Sequence, residues 1–288
     1  MTEHIIVAID GDASHRAPIR WATDRAKLTG ATVELLFVIG RSWGDRGLAP
    51  APELIEAADR ILAGARRYAQ QQASGVHVTA GWAFGKVSVS VREAGRRSDV
   101  IVLGIERRNA AETGFVGSLA VRVAAIAPCT VVAVPHGWAG TGAGGGVVAG
   151  IDGTPSSEVA LDFAAREALL HGDTLTLVAG GYSANPLLTG LVPERTVDHH
   201  RERVLEAAAA AVQGMQPAPT VLTREIEAAP AAALIRASRG SRLLVVGNRQ
   251  RNTAERTLMG SVAHDVLLNL ETPVAIARRH ETEVIGHE

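Results

Sequence analysis

The chain has 288 residues, of which 47% are hydrophobic and 20% charged, with 29 Lys and Arg against 30 Asp and Glu. This length and composition predict about two globular domains with sizeable cores and exclude a disordered chain. The formal net charge of −1 argues against nucleic acid and anionic membranes as partners, because no positive field surrounds the protein.

Cysteine content and hydropathy indicate a soluble cytoplasmic protein. The one cysteine, Cys129, excludes an intrachain disulfide, fits a reducing compartment and is expected to be a small buried residue. The N-terminal segment enters a strand-like run directly and has no signal-peptide pattern. No stretch approaches the roughly 18 apolar residues that a membrane-spanning helix needs.

Strands and helices alternate along the first part of the chain. Short apolar runs rich in β-branched residues predict strands, and amphipathic runs predict helices. The first helix is expected to begin at Ser14 as N-cap and to stop at Gly30. The predicted strands cover 5–10, 32–38, 76–80, 100–104 and 129–134, and the other helices cover 52–72, 86–97 and a segment starting at 117.

The same alternation continues in the second part of the chain. Predicted strands cover 147–152, 174–178, 220–226, 243–247 and 273–277. Predicted helices cover 156–171, 194–213, 229–239 and a segment starting at 261.

The second part is a copy of the first. Ile9-Asp10-Gly11 recurs 142 residues later as Ile151-Asp152-Gly153, and Gly117-Ser118 recurs 143 residues later as Gly260-Ser261. Such collinear similarity identifies a duplicated domain with a net insertion of one residue. We expect one domain over 1–135, a glycine-rich linker over 136–146 and a second domain over 147–288.

Five strands alternating with four helices in each half predict an α/β fold made of two tandem, doubly wound, parallel five-stranded sheets of the Rossmann-like type. Ligands of such sheets bind at the carboxyl ends of the strands, where the strand order reverses. The last strand of each half is expected at a sheet edge. We therefore expect the two halves to pair through these strands with pseudo-two-fold symmetry.

Glycines and a serine follow the fourth strand of each half in a pattern typical of a phosphate-binding loop. Gly104 and Gly247 are expected to let the backbone turn sharply off the strand. Gly117-Ser118 and Gly260-Ser261 start the next helix, whose free N–H groups attract anions. The serine hydroxyl either binds a phosphate oxygen or caps the helix.

These motifs resemble the universal stress protein family over essentially the whole chain, twice. The resemblance rests on a strand ending in Asp-Gly with a serine four residues after the aspartate, and on the Gly-x9-Gly-Ser spacing. It implies an adenine nucleotide α-hydrolase-like fold that holds an adenine nucleotide, usually ATP, with or without Mg²⁺. It also implies pairing of the two halves and, as an open alternative, a further homodimer.

Carried over by position, the resemblance assigns a nucleotide site to each half. Asp10 and Asp152 are expected to contact the ribose or adenine, or only to place a favourable negative charge near the N-terminus of the next helix. The implied site residues are Asp10, Val38, Gly104, Gly117 and Ser118 in the first half, and Asp152, Gly180, Gly247, Gly260, Ser261 and Val262 in the second.

Both halves depart from the family at the middle glycine of the loop, which is Arg107 in one and Gln250 in the other. A side chain there costs on the order of 1 kcal/mol if the position needs positive φ, and it can occlude the pocket. Neighbouring arginines can instead bind phosphate directly. Arg107 and Gln250 thus belong to the expected sites, and the second half is the better candidate.

Three functions are consistent with these patterns. The first is a stress-response regulatory protein that binds an adenine nucleotide, and the second is a nucleotide-free scaffold of the same fold. The third is a slow nucleotide hydrolase, although no Walker, GxSxG, HExxH or paired CxxC motif supplies catalytic residues or metal ligands.

Overall fold

The computed structural model describes residues 2–11, 15–40, 49–96, 99–106, 118–140, 145–181, 194–248, 251–253 and 256–279, with residues 118, 194–198, 251–253 and 256–258 described by their backbone alone. Its strands are β1 (His4–Ile9), β2 (Thr32–Gly40), β3 (Val78–Gly85), β4 (Val100–Ile105), β5 (Thr130–Pro135), β6 (Val147–Gly150), β7 (Leu175–Gly181), β8 (Val221–Glu227), β9 (Leu243–Gly247), β10 (Arg251–Thr253), β11 (Arg256–Leu258) and β12 (Val274–Ala277). Its helices are α1 (Arg16–Thr29), α2 (Pro52–Gln72), α3 (Val87–Gly95), α4 (Ser118–Ile126), α5 (Pro155–His171), α6 (Glu194–Gln213), α7 (Pro230–Ala237) and α8 (Ser261–Leu268).

Ten strands form one sheet in the order β3-β2-β1-β4-β5-β12-β9-β6-β7-β8. Within each half every neighbouring pair is parallel, which confirms the α/β class and the doubly wound order. The halves join where β12 runs antiparallel to β5, with Val274, Ala275 and Ile276 opposite Ala133, Val132 and Val131. The two predicted sheets are thus the two ends of one continuous sheet.

Helices cover both faces of this sheet because its strands expose apolar side chains alternately to either side. One core contains Ile5 and Val7 of β1 and is covered by α1, α2, α5 and α6. The other contains Ile6 and is covered by α3, α4, α7 and α8. Cys129 lies in the second core with 1% of its surface exposed, which confirms that it is a buried residue.

The helix ends follow local sequence signals, although the starts expected for α1 and α5 need correction and α3 and α7 are shorter than the predicted 86–97 and 229–239. Gly30 ends α1 in the left-handed region at φ 72°, as expected for a glycine that stops a helix. The N-cap of α1 is His15, and the predicted cap Ser14 lies outside the described residues. In the second half Thr154 is the N-cap, so α5 begins at Pro155 and not at 156.

A short antiparallel hairpin, β10–β11, lies between Gly247 and Gly260, where only a loop was expected. Its residues, Arg251–Thr253 and Arg256–Leu258, carry no alternation of apolar and polar side chains. The usual sequence signal for a strand is therefore missing. Among the helices that the structure describes, none combines the length and apolarity needed to span a bilayer.

Candidate functional site

A cleft of about 240 Å³ opens in the second half at the carboxyl ends of β6, β7 and β9. β6 lies between β7 and β9 in the sheet, so the cleft occupies the point where the strand order reverses, the usual ligand site of this architecture. The structure brings six of the expected site residues together in its wall, namely Asp152, Gly180, Gly247, Gly260, Ser261 and Val262. Gln250 lies outside the described residues.

The first half presents the same arrangement of strand ends. β1 lies between β2 and β4; Asp10 follows β1, Val38 lies near the end of β2, and Gly104 is in β4. Ser118 is the first residue of α4 and is described by its backbone alone. Arg107 and Gly117 lie outside the described residues.

The Asp152 carboxylate organises the turn from β6 into α5. Its Oδ1 atom accepts hydrogen bonds from the backbone N–H of Thr154 at 3.0 Å and from the Thr154 hydroxyl at 2.5 Å. The Thr154 side chain in turn accepts the N–H of Ser157, which caps α5. Asp152 therefore has the helix-start role that was one of its two expected roles. Its other oxygen, Oδ2, takes part in neither of these bonds.

Ser261 is presented to the cleft by the start of α8. Gly260 is the N-cap of this helix and has no side chain to satisfy the first-turn N–H groups. Ser261 is the first helical residue and is exposed, so the expectation that its hydroxyl caps the helix is wrong. Within the part of the chain that the structure describes, this hydroxyl has no hydrogen-bond partner, and it can donate to a bound anion.

Two glycines of the cleft are explained by the close approach of other elements. A Cβ on Gly247 would overlap the backbone carbonyl of Ser156, at the start of α5. A Cβ on Gly180 would lie 2.7 Å from Ala233 and 2.9 Å from the Cα of Pro230. Neither glycine is among those with positive φ. The expected reason for Gly247, a sharp turn off the strand, is therefore replaced by helix packing.

Several lining residues were not expected from the sequence. Pro230 and Leu234 of α7 and Ser156 of α5 form part of the wall. Pro at a helix start was a usable signal for α7. Its position over the cleft, however, follows from the strand order, which places β8 beside β7.

The described wall of the cleft carries mainly hydroxyl and backbone polar groups. Asp152 is its one charged side chain among the described residues, and Ser156, Ser157 and Ser261 supply hydroxyl groups. Over the described ranges, no group of three His, Cys, Asp or Glu side chains comes together as a metal centre. The cleft offers hydroxyl and backbone N–H donors, which suit a polar or anionic ligand.

Comparisons with known proteins agree with this architecture. The model of the universal stress protein family matches residues 1–135 and again residues 146–278. A universal stress protein of Mycobacterium tuberculosis, Rv2005c, is 25% identical over 285 residues, covering 96% of this chain and 97% of the relative. One from Mycolicibacterium smegmatis is 28% identical over 291 residues, covering 95% of this chain and 96% of that protein.

Among solved structures, a universal stress protein from Archaeoglobus fulgidus superposes with a TM-score of 0.74 at 18% identity, over 96% of this chain and 98% of that one. This likeness concerns the fold. The family model, by contrast, matches the sequence of both halves, and the gap between the two matched segments falls in the connection between β5 and β6. The chain belongs to the universal stress protein family and contains the family's domain twice.

Proposed function

We propose that the second half binds an adenine nucleotide, with ATP as the first candidate and with or without Mg²⁺, and that occupancy of the site regulates a response to stress. The observation that carries the proposal is the convergence of Asp152, Gly247 and Gly260-Ser261 on one cleft at the strand-order reversal. Membership of the family and its glycine–serine loop support the choice of an adenine nucleotide.

The start of α8 is the expected phosphate end of the site. Its first-turn N–H groups lack partners within the helix, and the helix dipole favours an anion there. The Ser261 hydroxyl adds a donor that has no partner among the described residues. Asp152, at the end of β6, supplies an acceptor suited to ribose or adenine donors.

Ser261→Glu tests this proposal, because it places a carboxylate where the phosphate is expected while leaving a helix-compatible residue at the first turn. Ligand present at 100 times its dissociation constant stabilises a protein by about 2.7 kcal/mol, enough to raise the melting temperature by several degrees. We expect millimolar Mg-ATP to raise the melting temperature of the unmodified chain and not that of Ser261→Glu. Ser118→Glu, the equivalent change in the first half, is the matched control and should keep the rise.

One observation favours a second function, a nucleotide-free scaffold. Packing against α5 and α7 accounts for Gly247 and Gly180 without any ligand, and about 240 Å³ is below the range of about 300–1,000 Å³ common for ligand pockets. No change in melting temperature of the unmodified chain would support the scaffold. Loss of the rise in Ser118→Glu alone would place the nucleotide in the first half instead.

A further inference from the structure

Arg25 of α1 and Glu167 of α5 occupy equivalent positions in the two copies, because they are separated by the 142-residue offset that relates Asp10 to Asp152. The two side chains meet across the junction of the halves, where the Nη1 of Arg25 donates to Glu167 Oε1. A residue that contacts its own equivalent lies at the pseudo-two-fold axis. The axis therefore passes between one arginine and one glutamate.

The aromatic neighbours of this pair repeat the relationship. Arg25 lies over the Trp21 ring at 6.0 Å and over the Phe163 ring at 5.5 Å. Trp21 and Phe163 are themselves equivalent positions of the two copies. The Arg25 guanidinium thus contacts Trp21 and Phe163, which are equivalent to each other, and Glu167, which is equivalent to Arg25 itself. These contacts place the guanidinium at the axis.

The pair is largely removed from water. Glu167 has 2% of its side-chain surface exposed and Arg25 has 10%. Glu3, from the same half as Arg25, accepts three further bonds from this guanidinium, one from Nη2 at 2.8 Å and two from Nε at 3.1 and 3.2 Å. Because the buried Glu167 carboxylate has lost its hydration, its charge depends strongly on the contact with Arg25.

Opposite charges at the axis discriminate between possible pairings of the halves. If the first half paired with another first half in the same geometry, Arg25 would face Arg25. If the second half paired with another second half, Glu167 would face Glu167. Like charges placed opposite each other at a desolvated interface suppress the wrong partner.

We propose that the Arg25–Glu167 pair selects the partner across the β5–β12 junction, so that each half accepts the other copy and rejects its own kind. The surface around Arg25 fits a second copy that carries an acid at the equivalent position. Pairing through these two side chains does not depend on nucleotide binding.

Charge reversals in the full chain reproduce each arrangement directly. Glu167→Arg presents the two arginines of a first-half self-pair, and Arg25→Glu presents the two glutamates of a second-half self-pair. We expect each to lower the folding equilibrium constant, measured by urea unfolding, by at least about tenfold. The double reversal should recover most of this loss. Arg25→Glu also removes the contact with Glu3. This loss occurs in the single variant and in the double variant alike, so it cancels when the coupling energy is calculated from a double-mutant cycle.

Hydrogen exchange of the β5 and β12 amides supplies a second measurement, because it locates the loss at the junction. These amides should exchange faster in both single reversals and return towards the original rate in the double. The matched control is the exposed pair Asp162–Arg166 on α5, 2.8 Å apart with 53% and 70% of the side chains exposed. Reversing it should leave both readouts nearly unchanged.

Single reversals that change the equilibrium constant less than threefold, or a double reversal no better than the two single effects combined, would overturn the proposal. If the single reversals do not fold, the double reversal decides. A folded double supports charge selection at the axis, and an unfolded double contradicts it.

Discussion

His171 is the last residue of α5 and is half-buried. It lies in the wall of a cavity of about 420 Å³ between the halves, and Arg242 lines the same cavity. Burial, and then the nearby Arg242, lowers the pKa of His171 from 6.5 to about 4. Arg25 acts in the same direction, whereas the carboxylates Asp173 and Asp24 oppose the shift. The side chain is therefore neutral in the folded protein at physiological pH.

This lowered pKa makes stability depend on pH in a definite direction. Between pH 6.5 and 4 the unfolded chain binds a proton at His171 that the native protein does not bind. The contribution is thus fully present above pH 6.5 and is lost as the pH falls. After allowance for solvent screening of a half-buried group, we expect a loss on the order of 1 kcal/mol between about pH 7 and 5.

Urea unfolding of His171→Gln against the original chain at pH 7, 6 and 5 measures this contribution. The original chain should lose stability more steeply than the variant as the pH falls. His264→Gln, at an exposed position on α8, is the control and should follow the original curve. Parallel curves for His171→Gln and the original chain would show that the pKa of His171 is the same in the native and unfolded states, which would contradict this prediction.

At the scale of elements, the end of α4 in the first half is held by side chains of the second half. The carbonyl of Ala124 accepts Asn248 Nδ2 at 2.9 Å, and the carbonyl of Ala125 accepts Arg278 Nη2 at 3.2 Å. Arg278 Nη1 also donates to the carbonyl of Ala127. These bonds satisfy carbonyl groups that a helix end leaves without partners.

Arg278→Ala removes two of these donors together. We expect it to lower the free energy of unfolding by about 1–3 kcal/mol, because the freed carbonyls are partly buried. Arg279→Ala, the adjacent and exposed arginine, should change it by less than about 0.5 kcal/mol. Equal effects of the two substitutions would mean that the α4 contacts contribute nothing measurable.

The elements that could be predicted from sequence are those whose signals are local. The bounds predicted for α2, α6 and β9 agree with the structure because periodicity and flanking Pro or Gly define them. The β10–β11 hairpin was missed because its polar strands lack that periodicity. β3 reaches Gly85, five residues beyond its predicted end, through pairing with β2 that sequence does not encode locally.

Some residues of the candidate site could likewise be predicted from sequence, and others could not. The repeat drew attention to Asp152, Gly247 and Ser261, since each has an equivalent in the first half, and the family resemblance gave them their expected roles. The contribution of Pro230 and the packing of Ser156 on Gly247 depend on which elements become neighbours in space. Which elements become neighbours follows from the strand order, and the spacing of the glycines gives no information about that order.

At the scale of the whole molecule, the two halves meet through more than the central ion pair. Besides the three residue pairs of β5 and β12, the Thr130 hydroxyl donates to the carbonyl of Arg278 and accepts its N–H, both at 3.2 Å. These contacts join apolar strands whose residues Val131, Val132 and Ile276 are almost fully buried. That the halves keep this arrangement in solution is a prediction.

Cutting the connection between the halves tests whether these contacts hold without it. A protease site introduced into the glycine-rich segment between β5 and β6 would separate the chain into two fragments without touching either strand. We expect the fragments to co-elute in gel filtration at the size of the intact 30.1 kDa chain, because buried strand pairing and the Arg25–Glu167 pair remain. Fragments that separate would show that the linker, and not the interface, keeps the halves together. The cut form of Asp162→Arg should also co-elute, whereas cut Glu167→Arg should dissociate on dilution, since two arginines then face each other at the axis.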